Sequence, residues 1–182
     1  MEAAIETRAR IGAGAEPIES IDWLREFGER YTQAWNALDP RAVAACTHPE
    51  VRWIDPALPE PVHGRDGVAG FVEESARAFP DLQFTEPGPP AIADDSLAAY
   101  IPWEMAGTNT GPIDPPGLPP TGRRMSIRGI DVWQFREGLI WRYEAIYDFA
   151  DVGRQLGLMP ARGSRAESLM IGARKLRARL PI

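Results

Sequence analysis

Residues 125 to 148 read MSIRGIDVWQFREGLIWRYEAIYD. Two runs of alternating character, Met125 to Phe135 and Leu139 to Asp148, flank Glu137-Gly138, a two-residue connection of the kind that follows the right-handed twist of paired strands. The stretch predicts a β-hairpin, and the rest of the fold is read outward from it. With Arg136 and Leu139 opposite each other, Asp131 faces Glu144. Both then point to the side of Trp133, Ile146 and Asp148, provided that neither strand bulges. Ile130, Val132, Trp141, Tyr143 and Tyr147 fall on the other face, which is apolar enough to expect a homodimer through it.

Upstream, Val51 to Asp55, Leu82 to Glu86 and Ser96 to Ala106 also read as strands, the first of them stopped by Pro56. Ahead of these, Leu24, Phe27, Tyr31, Ala34, Trp35 and Leu38 recur every three or four residues behind Ser20, a good N-cap, and predict an amphipathic helix. Asp39-Pro40 opens a short second helix through Cys46. Val68, Phe71, Val72, Ala76 and Phe79 mark a third, and Asp151 to Leu156 a short fourth closed by Gly157. Helices followed by mostly antiparallel strands define an α+β domain with its helices on one face of a sheet.

Residues 1–18 read as a flexible lead-in, 19–160 as the domain and 161–182 as a basic amphipathic helix. In that last segment Arg162, Arg165, Arg174, Lys175, Arg177 and Arg179 stand against Glu167, and Leu169, Ala173, Leu176 and Leu180 line one side. It packs on the acidic body or lies on an anionic surface. Residues 107–122, GTNTGPIDPPGLPPTG, hold five prolines and four glycines and form either a lip over a site or a rigid hairpin loop.

A chain of 182 residues, 44% of them apolar, has the size of one domain with one core. Twenty basic residues against 26 acidic ones, a net charge of -6, argue against nucleic acid as a partner. Two histidines (His48, His63) and one cysteine (Cys46) are too few for a thiolate zinc site or a disulfide scaffold. The opening residues MEAAIETRAR carry no apolar signal, and nowhere do about 18 apolar residues follow one another. The expectation is a soluble cytoplasmic protein without a membrane partner.

WIDP (53–56), HGRDGV (63–68), FPDLQF (79–84), GTNTG (107–111), PTGRRMSIRGIDVWQF (120–135) and YDFADVGRQLGLMP (147–160) together resemble the SnoaL-like polyketide cyclase branch of the NTF2-like superfamily. The resemblance implies a cone-shaped α+β barrel, with N-terminal helices packed on a curved, mostly antiparallel sheet around an internal pocket. It also implies acid/base chemistry without a cofactor on a hydrophobic small molecule, most simply an aldol-type cyclisation or a ketosteroid-type isomerisation. The superfamily also holds epoxide hydrolases, dehydratases and non-catalytic binding or dimerisation modules, so fold alone does not choose among them.

Carboxylates in an apolar pocket suit such chemistry, because burial raises a carboxyl pKa toward working pH and a second carboxylate raises it further. By resemblance Asp148, at the end of the last strand, matches the cyclase base; otherwise it caps the helix that follows. Asp55 sits where epoxide hydrolases of the superfamily orient a water, or merely ends its strand. Asp131 interrupts an apolar strand beside Glu144, where Arg128 or Arg142 are available to neutralise it. Trp53, Trp103, Trp133 and Tyr31 are expected on the pocket wall, with His63 as a proton shuttle or a loop brace. Asn109 replaces the histidine common in this branch, which removes a titratable group from the lip. Ile101-Pro102-Trp103 stands where the epoxide hydrolases carry Arg-x-Asp, a departure that weighs against epoxide hydrolysis.

Overall fold

The computed structural model describes residues 14–114 and 117–177. Helix α1 (Ile21–Asn36) starts where the Ser20 side chain accepts the Trp23 N–H at 3.1 Å, and it buries Leu24, Phe27, Tyr31, Ala34 and Trp35, the stripe that the periodicity predicts. Asp39 caps α2 (Pro40–Ala45) by accepting the N–H groups of Arg41 and Ala42. Then follow β1 (Thr47–Ile54), β2 (Val62–His63), α3 (Gly64–Ala78), β3 (Gln83–Thr85), β4 (Ala91–Ile92), β5 (Ala99–Thr108), β6 (Arg124–Arg136), β7 (Leu139–Tyr147), α4 (Phe149–Gln155) and α5 (Arg165–Arg177).

The strands form one sheet in the order β2-β1-β7-β6-β5-β3, with β4 also on β5. All neighbours are antiparallel except β1 and β7. The sheet curves without closing, so the expected cone is open along one side. Its concave face packs on α1, α2 and α3 around a core rich in aromatic rings, among them Phe27, Trp35, Trp53 and Trp133.

The hairpin forms at Glu137-Gly138, both with positive φ (53° and 68°), the backbone that a twist-matched two-residue turn requires. The register inside it differs from the expectation. Phe135 pairs with Ile140, but Gln134 pairs with Arg142, so Trp141 is an extra residue in β7. Its indole stays outside, with the guanidinium groups of Arg136 and Arg142 over the ring at 3.9 and 4.4 Å. Beyond this bulge Asp131 pairs with Ala145, not Glu144. Tyr143, Ala145 and Tyr147 therefore turn to the concave side, while Glu144 and Ile146 are exposed on the convex one. The convex face holds Ile130, Ile146 and Tyr100, 44%, 54% and 42% exposed.

Strand β1 begins at Thr47, earlier than its alternation suggests, because Thr47 pairs with Ile140 before the register slips ahead of Arg52. The lead-in is also less detached than expected. Glu16 N–H donates to the Phe135 carbonyl at 2.8 Å and Ile18 is buried; residues 1–13 lie outside the described residues. Helix α5 forms, but Leu169 is 74% exposed and does not pack on the body; Leu180 lies outside the described residues. No helix among the described residues is long and apolar enough to cross a membrane.

Candidate functional site

A cavity of about 460 Å³ opens between the concave sheet face, α3, α4 and the loop segments 109–114 and 117–122. Its wall is mostly aromatic and aliphatic, with Phe71, Phe84, Trp103, Tyr143, Tyr147 and Phe149 prominent. Trp103 comes from β5 and the two tyrosines from β7, on the side to which the bulge turns them. A pocket of this size and character suits an apolar small molecule held by a few polar groups.

Asp55 is the buried carboxylate on that wall, 8% exposed at the end of β1. Its Oδ1 accepts the Ala57 N–H at 2.8 Å and the Tyr147 hydroxyl at 2.7 Å. Burial pushes its pKa up, and those two bonds partly offset the effect by favouring the charged form. Burial and the neighbouring Asp55 charge hold the Tyr147 phenol above its ordinary range, so it remains a donor at any working pH.

Asp131 lies one layer deeper. It is 4% exposed, and its Oδ1 accepts the Trp103 indole N–H at 2.6 Å and the Tyr143 hydroxyl at 2.9 Å. Trp103 and Tyr143 line the cavity and Asp131 does not, so the two rings stand between this acid and any ligand. Burial lifts the Asp131 pKa to about 7, against the hydrogen bonds from Trp103 and Tyr143 and the nearby Trp133 indole, and with help from the Asp55 charge. Asp131 thus lies near the balance point between acid and base at neutral pH.

The other expected site residues sit elsewhere. Asp148 is half-exposed: its Oδ1 caps α4 by accepting the Asp151 N–H at 3.0 Å, and its Oδ2 pairs with Arg162 at 3.1 Å and Arg154 at 3.8 Å. It borders an open polar groove with Glu104, Arg128 and Asp151, outside the cavity. Glu144 is exposed on the convex face for the reason given by the bulge. Trp53 is fully buried behind the wall and stacks on Tyr143 with centroids 3.5 Å apart. Trp133 and Tyr31 pack on each other at 4.8 Å beside Asp131. His63 is exposed at the start of α3. Of the three tryptophans expected on the wall, Trp103 alone reaches it.

Asn109 is buried and braces the lip. Its amide donates to the carbonyls of Ala78 (3.2 Å) and Gly111 (2.8 Å), and its Oδ1 accepts the Thr121 N–H (2.8 Å). Thr110 and Gly111 N–H also donate to Ala78 O, so the root of the loop is tied to the last turn of α3. Ile113 and Leu118 exchange two backbone bonds of 2.9 Å and line the cavity. The loop is a pinned lip. Tyr143 and Tyr147 were the site residues that alternation missed, and the adjacent large apolar pair Ile140-Trp141 is the one sign of the bulge in the sequence.

The profile of the SnoaL-like domain family matches residues 28–143. TsrD from Streptomyces laurentii is similar in structure, with a TM-score of 0.66 and 28% identity over 78% of this chain and all of that one. A protein of Jannaschia sp. CCS1 named as a SnoaL-like polyketide cyclase gives a TM-score of 0.66 at 17% identity, over 81% of this chain and all of that one. SalBIII, an epoxide hydrolase/cyclase-like enzyme in pyran ring formation in polyether salinomycin, gives 0.60 at 18%, over 74% and 97%. No curated protein matches this chain.

Proposed function

The chain belongs to the SnoaL-like domain family, and from that premise we propose that it is a cofactor-independent acid/base enzyme acting on a hydrophobic carbonyl compound, as an aldol-type cyclase or a ketosteroid-type isomerase. The observation that carries this reading is Asp55, a buried carboxylate with a raised pKa on the wall of an apolar cavity. A group of this kind removes a proton alpha to a carbonyl. The Tyr147 hydroxyl, already directed at Asp55, holds the base in place, and exclusion of water strengthens each electrostatic contact with the developing enolate. Asp131 acts as a positioning residue that fixes Trp103 and Tyr143. Asp148, Glu144 and His63 have no part in this reading, since none of them lines the cavity.

Proton abstraction is measurable without the physiological substrate. The purified protein is incubated in deuterated buffer with a panel of cyclic and polycyclic ketones, and deuterium at the alpha carbon is followed by mass spectrometry. Exchange above the buffer rate that falls at least about a hundredfold in Asp55→Asn supports the reading. Binding of the same ketones with no exchange above buffer would instead favour a non-catalytic binding module.

A further inference from the structure

On the side of Trp103 and Tyr143 away from the cavity lies a second, much smaller space of about 20 Å³, bordered by Tyr31, Thr32, Glu86, Asp131 and Trp133. A site needs roughly 10–15 Å³ and two to four polar partners to hold one water molecule. The partners are present. Tyr31 Oη and Trp133 Nε1 are buried and neither makes a hydrogen bond of ordinary geometry among the described residues, although the Trp133 indole lies near enough to Asp131 to favour its charged form; a buried donor left unmet is costly unless something accepts from it. Both bonds to Asp131 fall on Oδ1, so Oδ2 takes neither. At the outer end the Thr32 hydroxyl donates to the exposed Glu86 carboxylate at 2.8 Å.

We propose that this space is a binding site for a single water molecule held by Tyr31, Trp133 and Asp131, and that the water connects Asp131 to solvent past Thr32 and Glu86 without passing through the cavity. The proton accounting is simple. Protonated Asp131 gives its proton to the water, the water passes one of its own to the Thr32 hydroxyl, and the Thr32 proton moves to the Glu86 carboxylate and on to bulk. No heavy atom changes bonds, and the reverse sequence restores the acid. Asp131 then exchanges protons while an apolar ligand fills the cavity. The inference does not depend on the reaction assigned to that cavity, since it rests on polar groups behind the wall.

Two measurements on the full chain test it. A crystal structure of sufficient resolution to place ordered water is expected to show one molecule within hydrogen-bond reach of Tyr31 Oη, Trp133 Nε1 and Asp131 Oδ2. The three groups bonded directly to one another, with no water among them, would overturn the site. The infrared carboxyl band of protonated Asp131, recorded below its midpoint of about 7 and assigned by its loss in Asp131→Asn, is then followed on mixing into deuterated buffer. Its isotope shift is expected to slow by about tenfold in Thr32→Val and in Tyr31→Phe. Thr32→Val keeps the side-chain shape on a half-buried position of α1. Wild-type rates in both variants would overturn the route, as would a wild-type protein without the band, since Asp131 would then have no proton to pass.

Discussion

Trp103 Nε1 donates to Asp131 Oδ1 at 2.6 Å, so a ring on the cavity wall is fixed from behind by a carboxyl that does not itself line the cavity. Tyr143 reaches the same oxygen. Two strands, β5 and β7, are thereby tied to one atom on β6, and the wall between them keeps its shape through that atom.

Replacing this acid separates its hydrogen-bonding role from its charge. Asp131→Asn keeps an acceptor for both donors, whereas Asp131→Leu strands two buried donors at about 1–3 kcal/mol each. Urea unfolding is expected to show Leu as clearly the less stable of the two. The pH dependence has a definite sign, because the folded-state pKa is raised from 3.8 to about 7. The stabilising proton is fully present below about pH 3.8 and is lost as pH rises to about 7. Wild type should therefore lose stability relative to Asp131→Asn across that window, on the order of a few kcal/mol. A gap between the two proteins that does not change with pH would contradict it.

Tyr147→Phe removes a bond that favours the ionised form of Asp55. The Asp55 pKa should rise further, moving the acid limb of the ketone deuterium-exchange profile toward higher pH by about one pH unit. An unmoved limb would separate Tyr147 from the base.

Gly129 lies under Trp103 in the β5–β6 ladder, and a Cβ there would run into the Trp103 ring and approach the Ile146 carbonyl oxygen at 2.8 Å. Gly129→Ala should cost about 1–3 kcal/mol by overpacking and loosen ketone binding. Gly70→Ala is the control, since a Cβ there meets nothing within 4 Å; in the middle of α3 it should be stabilising by roughly 0.5–1 kcal/mol. Thermal melts that rank the two alike would refute the packing argument.

The convex face, with Tyr100, Ile130 and Ile146 exposed, is proposed to cover itself with a second copy of the chain. Sedimentation should give a species of about twice the 20.1 kDa chain mass, and Ile146→Lys should return the single-chain mass. A wild-type protein that sediments only as a monomer would dismiss the pairing.

Much of this molecule is legible in its sequence because burial writes a period into it. The stripe from Leu24 to Trp35, the caps at Ser20 and Asp39 and the Glu137-Gly138 turn follow from spacing and residue type; Asp131 stands out as the acid in an apolar run, and Asp55 as the acid that ends β1 ahead of Pro56. What spacing could not carry was the inside and outside of β7 beyond its bulge. Trp141 interrupts the alternation by one residue, and because both faces of the strand carry large apolar groups, the pattern looks acceptable in either register. Alternation without the bulge therefore puts Asp148, Glu144 and Ile146 on the wrong side, and Tyr143 and Tyr147 with them.

The bulge also says how cheaply such a site can be rewritten. Were Trp141 to pair with Gln134 instead of bulging, the hairpin would run in unbroken register, carrying Glu144 and Ile146 to the concave face and sending Tyr143, Ala145 and Tyr147 to the convex one. The same residues at the same length would thus exchange a phenol-lined wall for one bearing a carboxylate, and would change the outer surface in the same step. Cavity wall and outer surface are written on opposite faces of one strand, and a single slip of register moves both.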